Sequence, residues 1–428
     1  MQSRTGKPQR TRSNTHVLLL CASASFLSYC DRVNMSVGVV NMASDLGWTI
    51  AQRGTVLGAF FYGYIVTQLL GAVLAQRFGP KRVLGTAVLV WSALTLLTPL
   101  AASAAFPALV VVRVLLGLFE GVTFPVLHHM VNGWVAPTER SRAIAAIYSG
   151  STAGTVAAFL ICPPLNATFG WPSSFYLFGT LGAVWFLVWQ AMAKDPPGQA
   201  ALVPDSGASP KAARPPPTMK ASLALVAALL TTPSALAMFL AHFANNVGHY
   251  VLLAWLPTLL ERVWHVDAAH VYTSCLPYVA MGVAVQVWSA VADSCITRGA
   301  TKTRVRKALT ATGFLGSSIV LVVVATYMYD LTAMAGMGLL CVAMGLQTAN
   351  QSGYEASKLE IAHPRHTGLV SSVSNTLATL AGVVGVPLVS LIVDWTGDWS
   401  AVLVVIALVY TAGAAVYVWL GTAELIFT

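Results

Sequence analysis

Arg113 and Glu120 are the two charges in VVVRVLLGLFEGV, residues 110–122, a stretch that is otherwise apolar. Seven residues make two helical turns, so both side chains leave one helix face, about 10 Å apart along the axis. A guanidinium presents a planar fork of donors that matches phosphate or carboxylate oxygens. A carboxyl on the same face can hold a coupling cation, and an anion that occupies the arginine changes how that carboxyl binds a proton. Both flanks are hydrophobic, which places the pair inside lipid or protein, where charge is costly and usually functional. The competing reading is an ion pair that only joins two helices.

A second arginine, Arg32, follows Asp31 inside another long apolar run. It is either a second anion contact or a side chain snorkelling toward a membrane surface beside its acidic neighbour. Tyr64, Tyr148, Asn245, Asn246, Tyr250 and Asn375 each bring a hydroxyl or amide into an apolar segment. Such groups need partners at membrane depth, so each contacts either a ligand or a neighbouring helix. Asn245 and Tyr250 rank highest, because they sit in the stretch HFANNVGHY in the second half of the chain, where a ligand held with Arg113 would draw two bundles together. His242 and His249 belong to the same stretch. His249 can titrate in a polar cavity, although a packed histidine is the simpler reading. No nucleotide loop, zinc motif or serine-nucleophile pattern stands out, so no enzymatic chemistry, cofactor or metal is expected.

The elements that must position these groups follow from composition. Of 428 residues, 56% are hydrophobic and 9% charged, and the mean hydropathy is +0.71. A soluble domain would be about a quarter charged, so the chain reads as an all-α polytopic membrane protein. Twelve segments are long and apolar enough to span: 17–40, 54–75, 83–103, 106–129, 141–163, 173–192, 234–258, 270–294, 308–328, 331–353, 367–393 and 399–419. Residues 221–231 are apolar but short, and read as an interfacial lead-in to the seventh span. The six cysteines lie in or beside these segments without CxxC spacing, which suggests no disulfide framework.

The net charge of +9 does not point to nucleic acid, because its placement alternates with the spans. Arg77, Lys81, Arg82, Arg140, Arg142, Lys194, Lys211, Arg214, Lys220, Arg298, Lys302, Arg304, Arg306, Lys307, Lys358 and Arg365 fall in loops on one side. The other side holds mainly Asp45, Arg53, Glu261, Arg262, Asp267, Asp330, Asp394 and Asp398. The positive-inside rule then puts both termini in the cytosol. Residues 1–16 form a basic cytosolic N-terminus or part of an organellar targeting sequence. Residues 194–220, rich in Pro, Ala, Gly and Ser, form a cytosolic linker between two six-helix bundles at 17–193 and 221–420, and 421–428 is a cytosolic tail. Two bundles with a site between them is an alternating-access plan. In-span glycines, Gly63 and Gly117 among them, would permit close helix approach.

The motif GAVLAQRFGPKRVLG, residues 71–85, resembles the signature of the major facilitator superfamily. SYCDRVNMSVGV, FFYGYIVTQLLG, RVLLGLFEGVTFP and WVAPTERSRA are similar to its anion branch, which includes sialin, vesicular glutamate carriers and sodium-linked phosphate carriers. Within it the chain resembles plant and algal organellar phosphate transporters, some of whose relatives carry ascorbate. The resemblance implies a twelve-helix major facilitator fold of two pseudo-symmetric six-helix bundles, with Arg32 turned toward a central cavity. It also implies phosphate symport with protons or sodium, Glu120 coupling the cation, Arg113 and Arg32 holding the anion, and a monomer in a plastid or plasma membrane. Organic anions such as ascorbate, sialic acid or a sugar acid are the alternative substrates, and a transporter-derived sensor is an alternative from another class. The chain departs from its relatives at Gln76, where the loop signature has an acid, and at Leu57, where vesicular carriers have histidine. Asn245 replaces their span-seven arginine, which argues against glutamate. Lys358 stands where relatives often have His or Gln. The clusters Arg77, Lys81 and Arg82 with Glu139, Arg140 and Arg142, and Asp293 with Arg298, read as braces of the cytosolic face.

Overall fold

A chain in hydrocarbon must satisfy its own backbone N–H and C=O groups, and helices do so within each segment. The computed structural model describes residues 12–135, 139–196, 219–363 and 366–427. The basic N-terminus up to residue 11, and most of the expected linker with Lys211 and Arg214, lie outside them, as does Arg365.

The first half contains α1 (Arg12–Asp45), α2 (Ile50–Phe78), α3 (Pro80–Ala104), α4 (Phe106–Glu120), α5 (Thr123–Trp134), α6 (Arg140–Phe169) and α7 (Pro172–Met192). The second contains α8 (Met219–Thr231), α9 (Pro233–Val263), a 3₁₀ turn (Ala268–Cys275), α10 (Leu276–Thr297) and α11 (Lys302–Thr326). It continues through α12 (Ala333–Gln347), a π turn (Gln351–Glu355), α13 (Ala356–Glu360), α14 (Thr367–Thr396) and α15 (Ser400–Leu420). Every segment expected to span coincides with one helix or one consecutive run of these elements, overrunning an end by at most two residues. Sequence cues set the starts: Thr49 and Gln52 form a capping box at α2, and α3, α4, α7, α9 and α10 open with proline in the first turn.

The protein is therefore an all-α multi-span membrane fold. Among the described residues, nine helices are long and apolar enough to cross a bilayer, or eleven if two bent pairs each count as one span. α1 is long enough but is enriched in polar residues, Asp31, Arg32 and Asn34 among them, and so falls outside that count. α8 meets α9 at an 80° bend at Thr232, consistent with the expected lead-in. The cysteines are free thiols.

The halves meet through α2 on α14, α1 on α9, and α6 on the 3₁₀ turn and α10. Trp255 donates to the Val386 carbonyl within the second half, while Thr379 on α14 donates to Gln68 on α2 at 2.7 Å. At the end away from the basic loops, Arg53 is buried and reaches Glu261 at 2.9 Å. The two were expected as loop charges; they instead sit in the first turns of α2 and the last turns of α9 and tie the halves together. At the basic end the main contacts of α5 are with α1, α2, α3 and α6, and those of α13 are with the π turn and α14.

The braces at that end also differ from expectation. Lys81 bonds Asp195 through its backbone and the Gln190 carbonyl through its ammonium, and Arg140 donates to the Val135 and Asn132 carbonyls. In the second half the bidentate pair is Arg306 with Glu360, at 3.1 and 2.8 Å, rather than Asp293 with Arg298.

Candidate functional site

Span four is broken immediately after Glu120. Pro125 lacks the N–H that would bond the Gly121 carbonyl, so α4 ends and α5 begins across Gly121 and Val122. The freed Leu118 carbonyl accepts from Thr67 Oγ1 at 2.6 Å. α4 buries Leu109, Arg113, Leu116, Gly117 and Glu120, one helical stripe, as the seven-residue spacing required. Gly63 and Gly117 bring α2 and α4 into backbone contact: a Cβ on Gly117 would sit 1.9 Å from the Phe60 carbonyl oxygen.

That seam brings four charges together. Asp31, Arg32, Arg113 and Glu120 are 4, 5, 2 and 0% exposed. Ser28 donates to Glu120 Oε2 at 2.8 Å, and Arg32 Nη2 stands 3.7 Å from the same oxygen. The Arg32 guanidinium lies over the rings of Phe60, Tyr29 and Tyr64 at 4.7, 4.8 and 4.9 Å, and Arg113 lies over Phe60 at 5.3 Å. Asp31 is within electrostatic reach of Arg113 and Glu120. The snorkelling reading of Arg32 is thus excluded; α1 runs far enough past it to hold it in the interior. Asp31, weighed at first only as its surface partner, joins the cluster.

The cluster is not self-satisfied. Arg32 Nε and Nη2, Arg113 Nε, Glu120 Oε1 and Asp31 Oδ1 are buried without a hydrogen-bond partner among the described residues. Native interiors leave few such atoms, and three of these five are guanidinium donors. An oxyanion is the chemical group that would engage them.

The remaining expected residues divide. Tyr64 is in the cluster. Tyr250 is buried on α9, its ring 4.8 Å from Phe61 of α2, and within reach of Arg32, as is His249. Tyr148 stacks on Phe124 at 5.4 Å and is 43% exposed. Asn245 accepts from Gln347 and Asn350, and Asn246 donates to the Ala378 carbonyl, contacts that join helices of the second half. Asn375 is half-buried on α14.

Span ten is broken too. Gly353, at φ −89° and ψ −117°, interrupts the helix in the π turn. Arg306 donates to the Ser352 carbonyl at 2.8 Å, and the Tyr354 N–H donates to Thr310 Oγ1 at 2.8 Å, so α11 supplies the partners that the break removes. Beside it lies a second cluster absent from the sequence reading. Lys358, expected as a loop cation, is 2% exposed and bonds Glu355 and His242 Nδ1, the latter at 3.0 Å. Ser374 Oγ lies 2.8 Å from the same nitrogen, which leaves His242 Nε2 to carry the ring proton, 3.9 Å from Glu355. The signal was available in part: Glu355 and Lys358 are three apart, one turn, beside an isolated glycine.

Against known proteins, the family model described as Major Facilitator Superfamily matches residues 21–386. "Probable anion transporter 4, chloroplastic" of Oryza sativa subsp. japonica is 36% identical over 413 residues, 95% of this chain and 68% of that protein. "Ascorbate transporter, chloroplastic" of Arabidopsis thaliana is 34% identical over 411 residues, 95% and 75% of the two chains. "Sodium-dependent phosphate transport protein 1, chloroplastic" of Arabidopsis thaliana is 35% identical over 419 residues, 95% and 79%. Among solved structures, an inward-facing, unoccupied bacterial homolog of the human lysosomal transporter Spinster superposes with a TM-score of 0.75 at 18% identity, covering 96% of this chain and 97% of that one. A D-xylose-proton symporter gives 0.71 at 16%, covering 96% and 98%. At those identities the likeness is one of fold.

Proposed function

The chain belongs to the Major Facilitator Superfamily, a family of transporters, and from that premise we propose that it carries a small organic oxyanion across a membrane by alternating access. The observation that carries this reading is the pair of buried guanidiniums, Arg32 and Arg113, with unmet donors beside Glu120. Arg113 and Arg32 hold the anion, with Tyr64, Tyr148 and Tyr250 lining its approach and Asn245 and Asn375 closing the second-half wall. Glu120 binds the coupling proton or sodium ion, because it shares Arg32 with the anion.

The aromatic box around Arg32 favours an anion with an organic body, such as ascorbate or a sugar acid, over a bare tetrahedral one. Inorganic phosphate, expected first from the motifs, becomes the second reading. Relatives named for ascorbate and for phosphate transport are 34 and 35% identical to this chain, so likeness alone does not choose between them.

In this reading α1 is the twelfth span, residues 17–193 and 221–420 form two pseudo-symmetric six-helix halves joined by 194–220, and both termini face the cytosol. The basic end, where the main contacts of α5 and α13 lie within their own halves, is the open mouth, and Arg53 with Glu261 closes the far end. The protein works as a monomer in an organellar membrane, a reading supported by the chloroplastic names of its plant relatives.

Uptake into proteoliposomes tests this directly, comparing labelled ascorbate, gluconate and phosphate under imposed proton and sodium gradients. The expected result is concentrative ascorbate or gluconate uptake, reduced about 100-fold in kcat/KM by Arg113→Lys, which keeps the charge but loses the fork. Wild-type protein that accumulates none of the three overturns the proposal. Selective phosphate uptake supports the second reading.

A further inference from the structure

The break in span ten carries charges that the proposed cycle leaves idle. Lys358 is fully buried, yet the side chain of its counter-ion Glu355 is 40% exposed. The carboxylate therefore stands between the ammonium and open space. Tyr148, an exposed residue of the first half, lies within electrostatic reach of Glu355 and also of Tyr29 and Tyr64, two rings that carry Arg32. Tyr148 is thus a neighbour of both clusters.

α9 gives the separation of the two clusters. His249 is within reach of Arg32, and His242, bonded to Lys358, comes seven residues earlier. Two helical turns put the clusters about 10 Å apart along the axis, with Lys358 nearer the basic end. One small oxyanion cannot touch both at once. It can occupy them in turn.

The chemistry of Lys358 suits such a step. Its ammonium is already out of water, so exchanging one oxyanion for another avoids the cost of drying an exposed lysine. It is a point charge with rotatable donors rather than a fixed fork, which suits brief occupancy. The neighbouring backbone is held by Arg306 and Thr310 from α11, so Glu355 can leave without unravelling the turn.

We propose that Lys358, with His242 beside it, is a second anion station on the basic-end approach to Arg32 and Arg113, taking a carboxylate or phosphate in exchange for the Glu355 carboxylate. This rests on the anion-transport reading above. The station serves only the face it opens onto, and that asymmetry separates it from a structural ion pair.

The test is anion exchange in oriented proteoliposomes, with half-saturation by ascorbate and by inorganic phosphate measured at each face. Lys358→Met raises half-saturation at the basic face about tenfold or more, the loss expected for a charged contact, and leaves the opposite face within about twofold. Lys358→Arg restores most of it. Glu355→Gln, which keeps the lysine and removes its competitor, lowers half-saturation at the basic face. Equal shifts at both faces overturn the station, as does wild-type behaviour in the Lys358→Met, Glu355→Gln double variant, since both describe a pair that only holds helices together. If Lys358→Met protein does not fold, Glu355→Gln decides: an unchanged or raised value at the basic face overturns the station. Wild-type transport with normal Lys358→Met kinetics sinks the station alone, whereas wild-type protein that moves no anion sinks the transport reading and the station with it.

Discussion

The broken spans four and ten each set a glutamate and a cation at the interruption, but the two clusters are finished differently. At the first, Glu120, Arg32, Arg113 and Asp31 are enclosed, and five of their polar atoms lack partners among the described residues. At the second, Lys358, Glu355 and His242 bond one another and Ser374, while Glu355 meets open space. Breaks within spans are where a membrane protein can bring polar groups inside without exposing backbone to lipid. The difference in completion separates the roles. An enclosed cluster with unmet donors gains most from a ligand, which is why the proposed function places the anion and its coupling there. A self-paired cluster with one carboxylate exposed gains less, which fits the brief occupancy proposed for it.

The sharpest way to break that division is to neutralise each glutamate in turn. Glu120→Gln is expected to abolish gradient-driven accumulation, a loss of about 100-fold or ~2.7 kcal/mol, while anion exchange stays within about threefold. Glu355→Gln should leave accumulation within about threefold of wild type. Concentrative uptake and counterflow in the same vesicles read both quantities. Accumulation lost in Glu355→Gln and kept in Glu120→Gln would reverse the assignment.

The first cluster was largely legible in the sequence and the second was not, for a physical reason. Arg113 and Glu120 sit on one unbroken stretch of α4, where a period of 3.6 residues alone puts them on one face. Asp31 was misjudged because its depth depends on how far α1 extends, and α1 runs to Asp45 rather than ending near residue 40. Lys358 was assigned to a loop because the apolar run fades near residue 353. What keeps the chain helical beyond that point is Arg306 and Thr310, more than forty residues earlier. The Arg53–Glu261 tie spans 208 residues and leaves no local trace in either segment. Helix cores, by contrast, follow from apolar length, which is a local property, and each expected segment overlaps a helix although several helices run longer than expected.

The backbone seams around the two breaks give a second contrast, smaller than the first. Gly117 on α4 has no room for a methyl: its Cβ would lie 1.9 Å from the Phe60 carbonyl oxygen. Gly345 on α12 has room, its Cβ meeting only Ala284 at an ordinary 3.5 Å. Gly117→Ala should therefore destabilise the protein by roughly 1–3 kcal/mol, the range for overpacking a tight interior, and weaken anion affinity because Arg113 moves with α4. Gly345→Ala should be neutral or stabilising by about 0.5–1 kcal/mol, the helix preference of alanine over glycine. Thermal unfolding in detergent reads both. Equal tolerance would mean that the first cluster is held no more tightly than the second.

The smallest expected effect concerns the rings. Arg32 rests on three aromatic faces and Lys358 on one, Tyr354 at 5.7 Å. If the faces hold Arg32 in the attitude that meets an anion, Tyr64→Phe keeps affinity within about twofold, because the ring remains. Tyr64→Leu removes one face of three and should weaken affinity about three- to fivefold, the worth of ~0.5–1 kcal/mol for such a contact. Half-saturation for ascorbate is the measurement. Should the phenylalanine variant lose as much as the leucine one, the Tyr64 hydroxyl rather than its face is what the anion requires, and the aromatic box loses its standing as the reason to prefer an organic substrate.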